Sequence, residues 1–440
     1  MIILNTPTNA NTVFGIAHVV PAIHIDKSFR DMILGYVRSN PTATAAIVPG
    51  NGTTWVAPPA PQIADSSSRG PVLADGSDIL KPDIAAPGTD VLAATANAQG
   101  GTPTFNLLSG TSMASPHIAG LAALYLGERP NATPAEIKSA LMTTAYNAVN
   151  SAGAEISDAF AQGAGQVDPR KYFEPGLLYL NGVEDWLAYL QGLGWEAGVE
   201  PIDASDLNLA SIAIGSLSAP QTVTRTVTST QKGNYTANVV LPGFDVTVSP
   251  STLSFGAAGE TATFKVTFTR TTAPVEEWAT GFLTWSGTKD VRSPLAIRPV
   301  TADAALEVFG AGLTGSTDVS VTPGVDGPMP LTLGGLAAGV VLADAKNPGS
   351  GHSGTEASGN QRWVVQMGTG VSLARFDLDS SDDEGSDLDL TVYRVVSPTD
   401  LRYYEVWQSA TGSADDRVDV RIAVHVFAQV RGDCFGQAFR

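Results

Sequence analysis

The sequence predicts an α/β segment followed by two all-β sandwiches, because its hydrophobic periodicity changes along the chain. Apolar residues recur at helical spacing in Ser28–Arg38, Thr111–Leu126 and Pro134–Met142, and a shorter helix is predicted over Glu184–Gly192. From about residue 206, apolar and polar residues alternate in short runs between Gly, Pro, Asp and Ser, as in sandwich strands. A break near Pro299–Asp303 divides this β-rich part in two.

Individual strands and one helix cap follow from the same patterns. Thr133 is placed to cap the helix that begins at Pro134. Short strands are predicted near the N-terminus at Met1–Leu4, Ala17–Val20 and Ala22–Ile25. The clearest alternating runs after residue 206 are Thr222–Ser229, Tyr235–Leu241, Asp245–Ser249, Ala262–Thr269 and Gly281–Trp285.

Composition limits the classes of function. The 440 residues include 25 Lys and Arg against 43 Asp and Glu, which gives a formal net charge of −18. Such a charge repels nucleic acid and anionic lipid, so neither is expected as a partner. The one cysteine, Cys434, allows no intrachain disulfide and no thiolate metal cluster, and we predict no cofactor. No run of about 18 apolar residues is present to span a membrane.

The most informative stretch is Ser109–His117, with the sequence Ser-Gly-Thr-Ser-Met-Ala-Ser-Pro-His, which leads into an apolar helix rich in small residues. Gly110 permits a tight turn, and the helix begins at Thr111 and Ser112. The positive end of a helix dipole favours negative charge that develops near Ser112. A serine exposed at the head of a buried helix is a good position for a nucleophile.

Three other interpretations of this stretch compete. Ser112 could serve only as a helix cap, which is the commonest role of a serine before a helix. The nucleophile elbow of an α/β-hydrolase needs Gly two residues after the serine, where Ala114 stands, and His352 and His425 lie too far into the β-rich part to complete a triad. His117 as the base would point sideways from Ser112, so we interpret it as a structural, hydrogen-bonded residue of the helix.

The segment Gly110–His117 resembles the serine motif of the subtilase family, and the resemblance implies that Ser112 is the nucleophile. Four further segments resemble subtilases in order and at sensible spacing, namely Gln62–Pro71, Leu80–Gly88, Ile137–Ala145 and Gly163–Pro169. One departure is Asp65-Ser66, where an aromatic residue commonly precedes the paired serines. Residues 41–175 are thereby identified as the C-terminal part of a subtilisin-like catalytic domain, whose fold implies a partial doubly wound parallel sheet.

The resemblance extends on both sides of this segment. Residues 1–40 resemble the second half of a protease-associated domain, and residues 176–205 form a connecting segment. Residues 206–300 resemble the fibronectin type III-like domain of plant-type subtilases, through Arg225–Thr228 and Val248–Phe255. Residues 301–440 are similar to bacterial prepeptidase-type β-domains, through Leu373–Asp379 and Asp387–Val392.

The resemblance implies a serine endopeptidase acting on polypeptide substrates, in which a histidine takes the serine proton and an aspartate orients the histidine. No segment before Ser112 resembles the aspartate and histidine motifs, and His18 and His24 are interpreted as ordinary polar residues. The oxyanion-hole asparagine is missing as well. Of that oxyanion hole, the Ser112 N–H and Thr111 are still present in this chain. The same resemblance implies that Met113 and Leu108 line the leaving-group side.

We therefore expect this chain to be a fragment that is inactive alone, with a poorly covered apolar helix Ser112–Leu126. The resemblance implies a secreted protein, whose signal peptide is expected in a missing N-terminal part. Met1–Leu4 has the pattern of a strand already in progress, as though the chain were cut from a longer one. The alternative is a non-catalytic secreted binding module that keeps a vestigial protease segment.

Three secondary features complete the predictions. The acidic cluster Asp377–Asp389 could hold a structural Ca²⁺, although it lacks the spacing of an EF-hand and a solvated acidic strand edge is favoured. Asn51, Asn131 and Asn234 begin glycosylation sequons. Arg421–Val430 alternates as an edge strand would, and Gly432–Arg440 is expected to lie outside the domain core.

Overall fold

The computed structural model describes residues 1–6, 20–46, 59–73, 75–96, 100–102, 104–305, 308, 316–329, 360–366, 373–378, 388–395, 403–409, 416–421 and 427–434. The chain divides into two compact units, Met1–Met329 and Pro330–Arg440. No helix in the described part of the chain is long and apolar enough to cross a membrane.

The N-terminal residues form two short parallel strands and a helix. Strands β1 (Ile2–Leu4) and β2 (Ile23–Ile25) pair in parallel, and a 3-10 turn at Lys27–Phe29 leads into helix α1 (Arg30–Ser39). The Asp26 carboxylate accepts a hydrogen bond from the Ser28 N–H at 2.7 Å and so fixes the start of the turn. The predicted helix and two of the predicted strands are confirmed, whereas most of Ala17–Val20 lies outside the described residues.

The described residues of the next segment form one hairpin and three helices. Strands β3 (Val91–Thr95) and β4 (Thr104–Leu108) pair antiparallel, and helices α2 (Thr111–Glu128), α3 (Pro134–Thr143) and α4 (Ala159–Gln162) follow. Both predicted helices are confirmed. The Thr133 side chain accepts from the Glu136 N–H at 3.1 Å, which confirms the predicted cap.

The doubly wound parallel sheet expected in residues 41–175 is not found among the described residues of that segment. Parallel pairing there is limited to one bridge, between Ala85 and Gln166. The pair β3-β4 is itself antiparallel, because residues 96–103 are too few for the crossover that parallel neighbours need. Over all the residues that the structure describes, strands are many and helices few.

Two larger sheets follow, and their strands share one hydrophobic core. After β5 (Leu177–Tyr179), α5 (Val183–Gly192) and a 3-10 turn at Ala204–Asp206, eight strands run from residue 212 to residue 299. They are β6 (Ile212–Leu217), β7 (Gln221–Ser229), β8 (Gly233–Val240), β9 (Phe244–Ser249), β10 (Thr252–Phe255), β11 (Thr261–Arg270), β12 (Ala279–Gly287) and β13 (Val291–Pro299). One sheet has the order β10-β8-β12-β13-β6 and the other β5-β7-β11-β9. The alternation on β7, with Val223, Arg225 and Val227 buried, is the pattern predicted from the sequence.

Aromatic side chains join the two sheets. The rings of Phe264 on β11 and Trp285 on β12 meet edge to face at 4.9 Å, and both side chains are buried. Arg225 is also buried, and its guanidinium donates to the carbonyls of Leu209 at 3.1 Å and Ser211 at 3.0 Å. Burial lowers the pKa of Arg225 to about 10. The arginine of the Arg225–Thr228 motif thus ties the chain before β6 to β7.

The remaining strands lie after residue 300. A short antiparallel pair, β14 (Ala302–Ala304) and β15 (Val321–Pro323), belongs to the first unit. The second unit contains β16 (Asn360–Gln366), β17 (Leu373–Leu378), β18 (Leu388–Val395), β19 (Tyr403–Ser409), β20 (Asp416–Arg421) and β21 (Phe427–Cys434). They form a sheet β16-β21-β18-β19 and a pair β17-β20. That these sheets form a second sandwich stays a prediction.

The end of the chain corrects one boundary. Strand β21 includes Gly432–Cys434 and pairs with β16 on one side and β18 on the other, so these residues are part of an internal strand. Residues 432–434 are thus paired in a strand, whereas the prediction that Gly432–Arg440 lies outside the domain core stays a prediction. Of the predicted edge strand Arg421–Val430, Arg421 ends β20 and residues 427–430 belong to β21, whereas residues 422–426 lie outside the described residues. Residues 435–440 lie outside the described residues.

Candidate active site

The head of helix α2 is built by two glycines in close contact. The Gly110 N–H donates to the Gly88 carbonyl at 2.7 Å, and the Gly110 φ of 153° suits a residue without a side chain. A Cβ on Gly88 would lie 2.8 Å from the Gly110 carbonyl oxygen and 3.2 Å from Ala114 Cβ. The segment that ends in Pro87-Gly88 therefore lies directly on the first turn of the helix.

Ser112 stands in this first turn and is exposed. Met113 is the first residue whose N–H donates within the helix, to the Gly110 carbonyl at 3.0 Å. The N–H groups of Thr111 and Ser112 precede it and have no intrahelical acceptor. They lie at the positive end of a helix of 18 residues, where negative charge is stabilised.

The end of the hairpin β3-β4 leads directly into the residues around Ser112. The Ser109 hydroxyl accepts from the Asp90 N–H at 2.9 Å, which joins the end of β4 to the turn before β3. Leu108 is the last residue of β4 and is exposed, Thr111 is exposed, and Met113 is half-buried. These side chains flank the serine along the chain, and their roles toward a substrate stay predictions.

His117 is bonded within its own helix. Its Nδ1 lies 2.8 Å from the Met113 carbonyl oxygen, and because a carbonyl only accepts, Nδ1 carries the hydrogen in this bond. Five residues correspond to about 140° around a helix, so His117 and Ser112 occupy different faces. The structural interpretation of His117 is confirmed. No described residue hydrogen-bonds to the Ser112 hydroxyl, so the described residues do not bring a base to it.

Helix α2 is only partly covered in the described chain. Tyr125 is its one buried residue, whereas Leu124 is 61% exposed. The Tyr125 hydroxyl donates to the Glu136 carboxylate at 2.9 Å and accepts from Arg129. Burial, together with this bond to Glu136, raises the pKa of Tyr125 well above its usual range. The expectation of a poorly covered apolar helix is confirmed for the described chain.

Three of the segments that resemble subtilases meet beside this helix. The Ala85 N–H donates to the Gly165 carbonyl at 2.9 Å, and the Val167 N–H donates to the Ala85 carbonyl at 2.9 Å. The Lys138 ammonium on α3 lies 2.9 Å from the Asp83 carboxylate, and burial lowers the pKa of Lys138. The segments 80–88, 137–145 and 163–169 therefore form one packed body next to the head of α2.

Two aspartates that the sequence analysis did not select occupy a more unusual position. Asp75 is buried, and burial raises the pKa of Asp78 to about 7. The sequence Asp75-Gly-Ser-Asp78 has the composition of an ordinary surface turn. Its burial is created by residues far away along the chain, so no local signal could have revealed it.

The acidic cluster of the second unit is partly described. The Asp377 carboxylate accepts from the Arg417 guanidinium at 2.7 Å, across the pair β17-β20. Residues 379–387 lie outside the described residues, so the predicted Ca²⁺ site at Asp377–Asp389 stays a prediction. Within the described ranges no group of three or more His, Cys, Asp or Glu side chains could hold a metal ion.

Comparison with known proteins identifies two segments of the chain. Residues 4–165 match the subtilase family, and residues 206–297 match the fibronectin type-III domain. Among curated proteins of Arabidopsis thaliana, subtilisin-like protease SBT1.7 is 36% identical over 335 residues, which cover 68% of this chain and 44% of that protein. Subtilisin-like protease SBT3.6 is 36% identical over 303 residues, covering 63% of this chain and 39% of that protein.

A third relative shows a similar identity and coverage. Subtilisin-like protease SBT1.4 of Arabidopsis thaliana is 33% identical over 344 residues, covering 68% of this chain and 44% of that protein. The chain thus spans less than half the length of the curated relatives it matches. The subtilase match includes Ser112 and the head of α2, and the fibronectin type-III match includes strands β6 to β12 and most of β13. The chain belongs to the subtilase family and continues into a fibronectin type III domain.

Proposed function

We propose that Ser112 is the nucleophile of a serine endopeptidase that hydrolyses peptide bonds in polypeptide substrates. The observation that supports this most directly is the exposure of Ser112 in the first turn of α2, inside the segment that matches the subtilase family. A hydroxyl placed there can reach a substrate. The oxyanion formed by its attack lies toward free backbone N–H groups.

The chemistry requires partners for the serine. A base removes the hydroxyl proton as the oxygen attacks the scissile carbonyl, and the Ser112 N–H, with Thr111 beside it, stabilises the oxyanion. His117 is bonded to its own helix at Met113 and is not this base. We propose that the histidine, the aspartate and the oxyanion-hole asparagine come from outside residues 1–440.

The chain alone is therefore proposed to be inactive toward peptides. A serine without a base is an ordinary alcohol, and a triad that has lost one member keeps only about 10³–10⁴-fold catalysis over water, where binding and the oxyanion hole survive. Helix α2 is also poorly covered in the described chain. Its Leu124 is exposed, and the hairpin β3-β4 before it is only two-stranded. By resemblance to the family we also propose secretion, which is tested by detecting the natural protein in the medium.

Fluorophosphonate labelling tests both parts of this proposal. The 440-residue chain should not be labelled, whereas a longer form that supplies the aspartate and histidine motifs should be labelled at Ser112 and should cleave peptides. Ser112→Ala should abolish both in the longer form. Ser115→Ala is the matched control, since Ser115 is an exposed serine one turn further along the same helix.

Two outcomes would contradict the proposal. Labelling of Ser112 in the 440-residue chain would show that a base is present after all. A loss of turnover below about tenfold for Ser112→Ala in the longer form, worth ~1.4 kcal/mol of barrier, would show that another residue is the nucleophile. If no longer form is active, the alternative of a non-catalytic binding module replaces the endopeptidase.

A further inference from the structure

Residues 75–80 join the subtilase segment to the fibronectin type III domain through a direct backbone contact. The Asp78 carboxylate accepts from the Gly215 N–H on β6 at 2.7 Å. A Cβ on Gly215 would lie 1.8 Å from the Gly76 carbonyl oxygen, so the turn rests on the strand itself. On the other side of Gly215, its carbonyl accepts from Arg298 at 3.3 Å, and Arg298 is also paired with Glu276.

Apolar residues pack around this contact. Leu80 is buried with Ala213 on β6 and Ala296 on β13. Ile79 is buried with Leu207 and Leu209, just before β6. We call this contact of residues 75–80 with β6 and its neighbours the domain joint. Because its two sides come from the two different family matches, the joint sets how the subtilase segment sits on the β-domain.

The polar part of the joint carries an excess of negative groups. Asp75 on the same turn, Asp203 before the 3-10 turn and Asp303 on β14 all act electrostatically on Asp78. From α5, the Tyr189 hydroxyl donates to the second oxygen of Asp75 at 3.4 Å. Arg298 offers little relief, because its guanidinium is already bound to a carbonyl and to a carboxylate.

We propose that the domain joint is pH-sensitive, held tightly while Asp78 carries a proton and loosened when Asp78 ionises among its acidic neighbours. Ionisation adds a charge to a half-buried site that already faces three carboxylates. The protonated carboxyl still accepts the Gly215 N–H, so protonation keeps the contact and removes the repulsion. This proposal does not depend on the role of Ser112.

The pKa of Asp78 also indicates that the joint weakens as the pH rises. Burial is the largest cause that raises it to about 7, and the repulsion from Asp203, Asp75 and Asp303 adds to burial against the lowering effect of the Gly215 N–H. The ordinary value is 3.8. From about pH 4 to about pH 7 the separated or unfolded turn releases its proton while the docked turn keeps it. The stability of the joint is therefore greatest at acidic pH, falls across this window, and levels off above it.

Hydrogen exchange of the full 440-residue chain tests the proposal at the contact itself. Amide protection in peptides spanning 75–80 and 212–217, corrected for the intrinsic exchange rate, is measured from about pH 5 to about pH 9, on both sides of the value expected for Asp78. We expect protection to fall at least ~10-fold between about pH 5 and about pH 7 and to level off above that, the effect of at least about one pKa unit of coupling. In Asp78→Asn, which keeps an acceptor but cannot ionise, protection should stay constant.

The control is Asp245→Asn, which removes an exposed carboxylate on β9 and should leave the pH dependence of the wild-type chain unchanged. The proposal is overturned if wild-type protection at the joint is flat across this range, a result that needs no variant. It is also overturned if Asp78→Asn shows the same fall as the wild type. A fall of equal size throughout the β-domain would indicate general unfolding and would likewise count against the joint.

Discussion

Replacing Ser139 by alanine should weaken the attachment of α3 to the β-domain. Strand β5 is the edge strand of its sheet, and the Tyr179 N–H on it points away from the neighbouring β7 toward α3. The Ser139 hydroxyl accepts this N–H at 2.9 Å. Both residues are almost fully buried, at 3% and 2% exposure, so water cannot replace the serine oxygen.

The expected cost follows from the group left behind. A buried N–H without a partner costs about 1–3 kcal/mol. Alanine recovers roughly half a kcal/mol through its higher helix propensity, and the loss of one oxygen leaves a space smaller than a methyl group. The net loss in the free energy of unfolding should therefore be about 1–2 kcal/mol. The removed bond spans 40 positions in sequence, so the loss should not alter the helicity of α3 itself.

Denaturant unfolding, followed by tryptophan fluorescence, measures this loss, because Trp285 lies in the core of the same domain. The matched control is Thr143→Val, another buried hydroxyl on α3, which donates to the Ser139 carbonyl at 2.8 Å. That carbonyl keeps its place in the helical hydrogen-bond pattern, so the control should lose less than ~1 kcal/mol. Equal losses in Ser139→Ala and Thr143→Val would refute the reasoning.

Three further substitutions test local features of the structure, and the same unfolding assay measures their effects on stability. Gly163→Ala should cost more than ~2 kcal/mol, because Gly163 has a φ of 60° and a Cβ there would lie 2.4 Å from the Asp83 backbone. Gly120→Ala should instead stabilise the chain by up to ~1 kcal/mol, since nothing lies within 4 Å of the new Cβ in α2, and a loss would contradict the exposure of this helix. Thr133→Ala should cost ~1 kcal/mol by removing the cap at the Glu136 N–H, whereas Thr133→Ser should cost little.

The sequence predicted four of the five helices and seven of the fifteen strands that the structure describes in the first unit, because the apolar residues of these elements recur with a regular period. The predicted strand Thr222–Ser229 differs by one residue from the observed β7, and the predicted Pro134–Met142 by one residue from α3. Strand β5 was not predicted. Its residues Leu177–Tyr179 are all buried, so they show no alternation, and their pairing with β7 connects segments distant in sequence.

The candidate site likewise has features that the sequence predicted and features that it did not. The turn, helix and exposed serine at Gly110–Ser112 follow from local residue types, and the structure places them as the motif predicted. The unusual environment of Asp78 depends on Gly215, which is 137 positions away, and on carboxylates from two other segments, those of Asp203 and Asp303. Electrostatics of that kind arise from tertiary packing, which local periodicity does not encode. That the described residues place no doubly wound parallel sheet around α2 is likewise a consequence of tertiary packing, which the helix sequence alone does not reveal.

Helices α2 and α3 of the subtilase segment differ in how far the rest of the described chain covers them. Helix α3 has six buried residues and is bonded to β5 through Ser139, so its partner is present in the chain. Helix α2 is more apolar but has Tyr125 as its one buried residue, at the end away from Ser112. A polypeptide that supplied the base for Ser112 would have to approach the exposed head of α2, and burial of that apolar surface would contribute to its binding. Formation of an active unit should therefore raise the amide protection of α2 and leave that of α3 nearly unchanged.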